Sequence, residues 1–281
     1  MKKAIMLNKF ILLLTTILIS NSNPGFSQNK DLSVLSEDTI LFSQIETDSL
    51  YNSKQILSII TINKNSKKHK IVLGYSPIEL IKTSEFALQN KALAAINGGF
   101  FNVDKGGSVT YLEIEDTVIS KNSSKKNKWG KPKNLMNGAL ILDKQNSILI
   151  EKAKKEVFYE NSKNENAVLI TGPILLLKSK PVKMPNLKFV TKRHPRTCLC
   201  TTDKSIFLIT IDGRSKTAQG MNLYELQRYL KALNCIDAIN LDGGGSTTMW
   251  LKNKGIVNNP SDKAGERPVA NVLLVLPKNS H

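Results

Sequence analysis

Ile236-Asp237-Ala238-Ile239-Asn240-Leu241-Asp242-Gly243-Gly244-Gly245-Ser246-Thr247-Thr248-Met249 reads as a short strand that runs into an acid and a glycine triplet. Strand alternation sends Ile239 and Leu241 to one face and Asn240 and Asp242 to the other. Three consecutive glycines let the backbone take positive φ and approach a ligand closely, and Ser246 and Thr247 supply hydroxyls just beyond. Successive N–H groups in such a turn form a concave anion site beside a carboxylate. That combination suits a substrate with a phosphate next to the bond to be broken, and its bland alternative is a tight turn with a capping Asp. It is not a nucleotide-binding Walker loop, because no lysine follows at the required spacing.

Upstream, Asn222 with Glu225 makes a capping-box start for a helix to Leu233, whose apolar stripe is Leu223, Leu226, Leu230 and Leu233. Before it, Thr197 to Thr202 and Ile206 to Ile211 predict a hairpin across Asp203-Lys204. Val168 to Thr171 and Ile174 to Lys178 are strands flanking Gly172-Pro173, and hairpin-like strands fall around 109–119 and 138–150. A lysine-rich loop containing Trp129 separates those two. Further strands are expected at Lys70 to Gly74, Leu93 to Ile96 and Asn271 to Leu276, with a short helix begun by Thr83 or Ser84. Many strands and few helices predict an α+β fold on mixed, largely antiparallel sheet. Asn97, Asp212 and Asp242 each end an apolar strand, so their side chains converge at one sheet edge.

The N-terminus carries Lys2, Lys3 and Lys9, then an apolar run from Phe10 to Ile19, then the small residues Gly25 and Ser27. This is the pattern of a secretory signal over 1–27. The run is shorter than the roughly 20 residues of a comfortable membrane span. Residues 28–54 are expected to be a polar leader and 55–281 the catalytic domain, exported to the periplasm or the medium. Oligomeric state is left open.

Seven segments in order resemble the phosphodiester glycosidase family: Asn97-Gly98-Gly99-Phe100-Phe101, Thr171-Gly172-Pro173, Arg193 to Thr197, Asp212-Gly213-Arg214, Gly220 to Leu223, Asn240 to Thr248, and Pro260-Ser261-Asp262 with Glu266 to Asn271. The resemblance spans roughly residues 90–276 and implies cleavage of a sugar from a sugar-1-phosphate diester. It places glycone and phosphate between the Asn97, Arg196, Asp242 and Glu266 motifs. Cys198 and Cys200 depart from the small residues common after the family's Arg-Thr pair.

Glycoside cleavage calls for paired carboxyls. Asp242 and Glu266 are the first candidates and Asp212 the third, with Arg196 neutralising phosphate charge. Asn97, Gly98, Gly99, Thr171, Gly172, Arg193, Thr197, Arg214, Gly243, Gly244, Gly245, Ser246, Thr247, Arg267 and Asn271 are expected to bind substrate. His194 reads as a surface or orienting histidine, and Asp262 as the end of an Asx-turn. No cofactor is required, and a divalent metal is left open.

Net charge is +17, and +14 for residues 28–281, since the first 27 hold three lysines and no acid. Only five of the 40 basic residues are arginine, and four of these, Arg193, Arg196, Arg214 and Arg267, lie inside the motifs. A chain that otherwise uses lysine spends its planar, bidentate cations there. That pattern argues against nucleic acid as partner, and the resemblance implies a glycan or small-molecule substrate carrying a phosphodiester. A non-catalytic module for anionic polysaccharide is the rival. Cys198, Cys200 and Cys235 are expected to be three buried thiols; one bridge from Cys235 to a member of the pair is the alternative.

Overall fold

The computed structural model describes residues 40–122 and 135–278. The expected signal sequence, residues 28–39 of the expected leader and the loop with Trp129 lie outside the described residues. In chain order the first strands are β1 (Leu41–Thr47), β2 (Gln55–Asn63), β3 (His69–Tyr75), β4 (Ala94–Asn97), β5 (Leu112–Ile114) and β6 (Thr117–Ser120). Next come β7 (Gly138–Asp143), β8 (Ile148–Lys152), β9 (Glu165–Thr171), β10 (Ile174–Leu177) and β11 (Lys180–Pro181). The last are β12 (Arg196–Thr201), β13 (Ser205–Ile211), β14 (Asp237–Asn240), β15 (Met249–Leu251), β16 (Gly255–Ile256) and β17 (Asn271–Pro277). The α-helices are α1 (Thr83–Gln89), α2 (Glu156–Asn161), α3 (Lys188–Thr191) and α4 (Leu223–Ala232).

The strands form three sheets, ordered β1-β2-β13-β12-β14-β10-β11, β16-β15-β4-β17-β3 and β6-β5-β9-β7-β8. Every pairing among the described strands is antiparallel. Period-two alternation explains how three sheets share one core. Ile60 and Ile62 of β2, Leu199 of β12, Leu208 of β13 and Ile239 of β14 point inward from the first sheet. Ile96 of β4 and Leu273 of β17 meet them from the second, and Leu140 of β7 and Leu169 of β9 from the third. Each such side chain contributes about 1.5–3 kcal/mol by leaving water.

The alternate residues face outward and are covered separately. Leu57, Ile59, Cys198, Cys200, Ile209 and Ile211 pack beneath Leu223, Leu226 and Leu230 of α4. Ala95, Val272 and Leu274 lie with Phe86 and Ala87 of α1, and Ala139, Ile141, Val168 and Ile170 with Tyr159 of α2. The α+β architecture of largely antiparallel sheet is therefore the observed one.

Two sequence expectations need correction. Residues 41–54 are not a leader: β1 pairs along its whole length with β2, from Leu41 opposite Thr61 to Thr47 opposite Gln55. β2 in turn is an interior strand between β1 and β13. β1 is polar because one of its sides has no strand neighbour, so local composition concealed its pairing. The cysteines are likewise not three thiols. Cys200 and Cys235 form a disulfide and Cys198 stays a buried thiol. Ile236, next to Cys235, donates its N–H to the Thr201 carbonyl beside Cys200 at 2.7 Å, which brings the pair together.

Candidate active site

The first sheet sets the start of β12 beside the ends of β13 and β14, and hydrogen bonds from Asn97 bring the end of β4, in the second sheet, against them. Asn97 closes β4 with its side chain fully buried. Its Nδ2 donates to the Asp242 carbonyl at 2.7 Å, and its Oδ1 accepts from Thr197 Oγ1 at 2.7 Å and Thr248 N at 3.1 Å. Asp242 N donates to the Gly98 carbonyl at 3.0 Å. The Asp242 backbone is thus pinned on both sides while its side chain stays half-buried at the turn. Asn271 fills the space beside Gly98, where a Cβ would meet its side chain, and Leu169 fills that beside Gly99, whose N donates to Asn271 Oδ1 at 2.6 Å. Asn97, Gly98, Gly99, Thr197 and Asn271 therefore build the shelf that holds Asp242.

Each glycine of the triplet is matched by a different motif. A Cβ on Gly243 would lie 2.7 Å from the Pro195 carbonyl oxygen, and Gly244 N donates to that oxygen at 2.9 Å. Gly244 has φ of 65°, and a Cβ there would lie 2.9 Å from Arg214 Nη2. A Cβ on Gly245 would lie 2.6 Å from Arg267 Cζ. Two guanidinium groups therefore lie against the backbone where side chains would otherwise stand. Arg267 is oriented by Asp262, with Nε at 2.7 Å and Nη2 at 2.5 Å from Oδ2. The Ala264 N–H first, and the Arg267 guanidinium with it, hold the Asp262 carboxyl below its usual range.

Arg196 underlies the turn. It is almost fully buried, with Nε donating to the Met221 carbonyl and Nη2 to those of Phe189 and Lys192. Its guanidinium stacks 4.9 Å from the Phe189 ring centroid. Burial, and then the charge of Arg214, pull its pKa down to about 9. Its Nη1 is buried without a partner, as are Asn240 Oδ1, Ser246 Oγ, Thr247 Oγ1, Thr248 Oγ1 and Asn271 Nδ2. Buried polar atoms of this kind cost on the order of 1–3 kcal/mol each. Four of them, Asn240 Oδ1, Ser246 Oγ, Thr247 Oγ1 and Thr248 Oγ1, lie within residues 240–248.

Other expected site residues have structural partners. Glu266 accepts from Ser84 N at 2.8 Å and Ser84 Oγ at 2.5 Å, so both its oxygens engage the start of α1. Asp212 is buried and accepts from Asn258 Nδ2, Asn259 N and Asn259 Nδ2. Burial raises its pKa against these hydrogen bonds. Arg193 forks onto Glu225, which also completes the α4 capping box. Thr171 reaches toward the Asn240 carbonyl at 3.4 Å, and Gly172 accepts from Asn240 Nδ2 at 2.9 Å. They brace the strand beneath the turn.

Sequence reasoning missed Asn258 and Asn259, and took Ser84 only for the start of a helix. Asn258 joins the parts: its Nδ2 also donates to the Thr247 carbonyl and its Oδ1 accepts from Met249 N. The signal was present in the Asn-Asn pair directly before Pro260-Ser261-Asp262. Among the described residues, no group of three or more His, Cys, Asp or Glu side chains is gathered to hold a metal ion. Nor is any described helix long and apolar enough to cross a membrane.

Comparison with known proteins gives the same segments a context. The family profile described as phosphodiester glycosidase matches residues 90–276. The SPbeta prophage-derived uncharacterized protein YomE of Bacillus subtilis is 27% identical over 192 residues, covering 67% of this chain and 28% of that protein. Human N-acetylglucosamine-1-phosphodiester alpha-N-acetylglucosaminidase is 24% identical over 184 residues, covering 60% of this chain and 33% of the human protein. The matches thus span about a third or less of these curated relatives. Among solved structures, the zebrafish N-acetylglucosamine-1-phosphodiester alpha-N-acetylglucosaminidase catalytic domain, auto-inhibited by its pro-peptide, has a TM-score of 0.63 at 21% identity, covering 85% of this chain and 83% of that one. A hypothetical protein from Synechocystis has a TM-score of 0.62 at 15% identity, covering 85% and 62%. These two likenesses concern the fold.

Proposed function

The chain belongs to the phosphodiester glycosidase family, and we propose that it is an exported hydrolase cleaving a sugar from a sugar-1-phosphate diester on a cell-surface or environmental glycan. The observation that carries this reading is the glycine triplet lying against the guanidinium groups of Arg214 and Arg267 beside Asp242. Two planar cations at one turn suit a phosphodiester oxygen pair, while the N–H groups of Asp242, Gly244, Ser246, Thr247 and Thr248 are already bonded within the protein. In this reading water adds to the anomeric carbon, the bond from that carbon to the phosphate oxygen breaks, and the products are a free sugar and a phosphomonoester. Phosphate leaves with its charge neutralised by the arginines, so protonation of the leaving group matters less than for an ordinary glycoside. Asp242 stands at the anomeric carbon, where a carboxylate stabilises oxocarbenium character.

Arg196, buried beneath the turn, holds the segment carrying Pro195 and Thr197 in place through the Met221, Phe189 and Lys192 carbonyls. Glu266 and Asp212 act here by position: the first holds α1 to the Arg267 loop, and the second holds Asn258 and Asn259 under Thr247. The route of export is an N-terminal signal over residues 1–27, and the Cys200–Cys235 disulfide suits an oxidising compartment. N-terminal sequencing of protein from periplasm or medium should start at Gln28 or close to it; intact Met1 on a cytosolic pool would overturn the export reading.

Activity is tested with purified protein and a panel of glycosyl phosphodiesters, with products read by mass spectrometry. Free sugar and phosphomonoester are expected, with turnover falling by orders of magnitude in Asp242→Asn. A folded wild-type protein that binds the panel but releases no sugar would instead be the glycan-binding module.

A further inference from the structure

We propose that the substrate is a polyanionic chain carrying phosphate at successive repeats, and that a track of exposed lysines around the arginine turn holds the phosphates flanking the one being cleaved. This rests on the reading of the turn as a phosphodiester site. The segments 191–196, 213–220 and 258–268, which bear Arg196, Arg214 and Arg267, hold seven basic residues and only two acidic ones. Both acids are committed, Asp262 to Arg267 and Glu266 to Ser84. Asp212 and Glu225 nearby are committed as well, to the Asn258-Asn259 pair and to Arg193.

The lysines are tied to these segments through the backbone. The Lys192 carbonyl accepts from Arg196 Nη2 at 2.9 Å. The Lys54 carbonyl accepts from Gln219 N at 2.9 Å, and Gln219 Oε1 accepts from Arg193 Nη1 at 2.9 Å. Lys216 lies in the turn after Arg214 closed by Ser215 N to the Ala218 carbonyl, and Lys263 in the turn closed by Gly265 N to the Asp262 carbonyl. All four are exposed, and among the described residues none forms an ion pair. A single small phosphodiester is already met by Arg214 and Arg267. Exposed ammonium groups beyond them act only on charges that lie beyond it, and each contributes modestly. A chain with phosphate at every repeat supplies those charges and sums the contributions, with a steep dependence on salt.

The experiment compares two fourfold variants. One is Lys54→Gln, Lys192→Gln, Lys216→Gln and Lys263→Gln. The control is Lys178→Gln, Lys180→Gln, Lys204→Gln and Lys231→Gln, which removes equal charge from exposed positions at the other ends of β10, β12 and α4. The substrates are a linear poly(glycosyl phosphate) and its monomeric glycosyl phosphodiester. For the site variant, KM on the polymer should rise roughly tenfold or more, with kcat and all monomer kinetics unchanged. The control should match wild type, and raising the ionic strength should erase the difference. Anisotropy with the labelled polymer reads binding without turnover. Failure to cleave either substrate while polymer binding still depends on the site lysines would sink the hydrolase reading and leave the track standing. Equal polymer affinity in the two variants overturns the track. Equal, site-dependent affinity for single-stranded DNA of the same charge overturns its assignment to a glycan.

Discussion

At the scale of single residues, three adjacent glycines are required for three different reasons. Gly243 leaves room for the Pro195 carbonyl, Gly244 takes a positive φ against Arg214, and Gly245 lets Arg267 lie on the backbone. Gly245→Ala has an ordinary φ and is opposed chiefly by the end of a flexible arginine. Turnover should therefore fall at least tenfold while the melting temperature barely moves. Gly98→Ala is different, because its Cβ would meet the Asn271 side chain and lie 2.9 Å from the Asn271 carbonyl oxygen. It should destabilise the fold by about 1–3 kcal/mol in urea denaturation. Asp262 gives a pH signature. Its folded pKa is depressed, so its stabilisation is present above the ordinary carboxylate value of about 3.9 and is lost as pH falls through the lower folded value. The gap in melting temperature between wild type and Asp262→Asn should be widest near neutrality and should close in strong acid. Asp212 has the opposite sign. Burial raises its folded pKa, so it makes stability decline as pH rises from the ordinary carboxylate value through the raised one.

Among the elements, α4 shows local and tertiary demands meeting on one side chain. Asn222 Oδ1 accepts from Glu225 N at 2.9 Å and Glu225 Oε2 accepts from Asn222 N at 3.0 Å, the reciprocal cap that the sequence spacing implied. The same carboxylate takes the Arg193 fork, a contact 32 residues away that no local pattern contains. Asn222→Ala should cost about 1 kcal/mol, as for other caps. Glu225→Gln should cost more, because it also weakens the Arg193 pair and loosens the segment leading to Arg196. Urea denaturation of both variants distinguishes the two, and equal losses would confine Glu225 to its capping role.

For the whole molecule, three sheets share one core because each presents every second residue to it and the rest to a helix. The site residues gather where β12 begins and β4, β13 and β14 end. The Cys200–Cys235 disulfide ties β12 to the start of β14 across 35 residues. For a loop of that size, loss of the cross-link should lower stability by roughly 3–4 kcal/mol in the chain-entropy account. Comparing wild type with Cys200→Ser plus Cys235→Ser by chemical denaturation tests this, and an unchanged midpoint would show that packing alone holds the two strands.

What the sequence by itself determined is what depends on near neighbours: the α4 cap and stripe, the β12–β13 hairpin, the strand before Asp242 and the need for glycine after it. The ordered motifs and the confinement of arginine to them also pointed to the turn before any contact was known. Tertiary structure alone decided partners distant in the chain. Asn97 binds a carbonyl 145 residues away, Glu266 binds Ser84 across 182, and Asp212 is consumed by two asparagines 46 and 47 residues later. β1 was hidden for the same reason, since an edge strand with one side unpaired has the composition of a loop. An acid in a motif reads the same whether it meets substrate or braces a turn, because the difference lies in which donors the fold brings within reach of its oxygens.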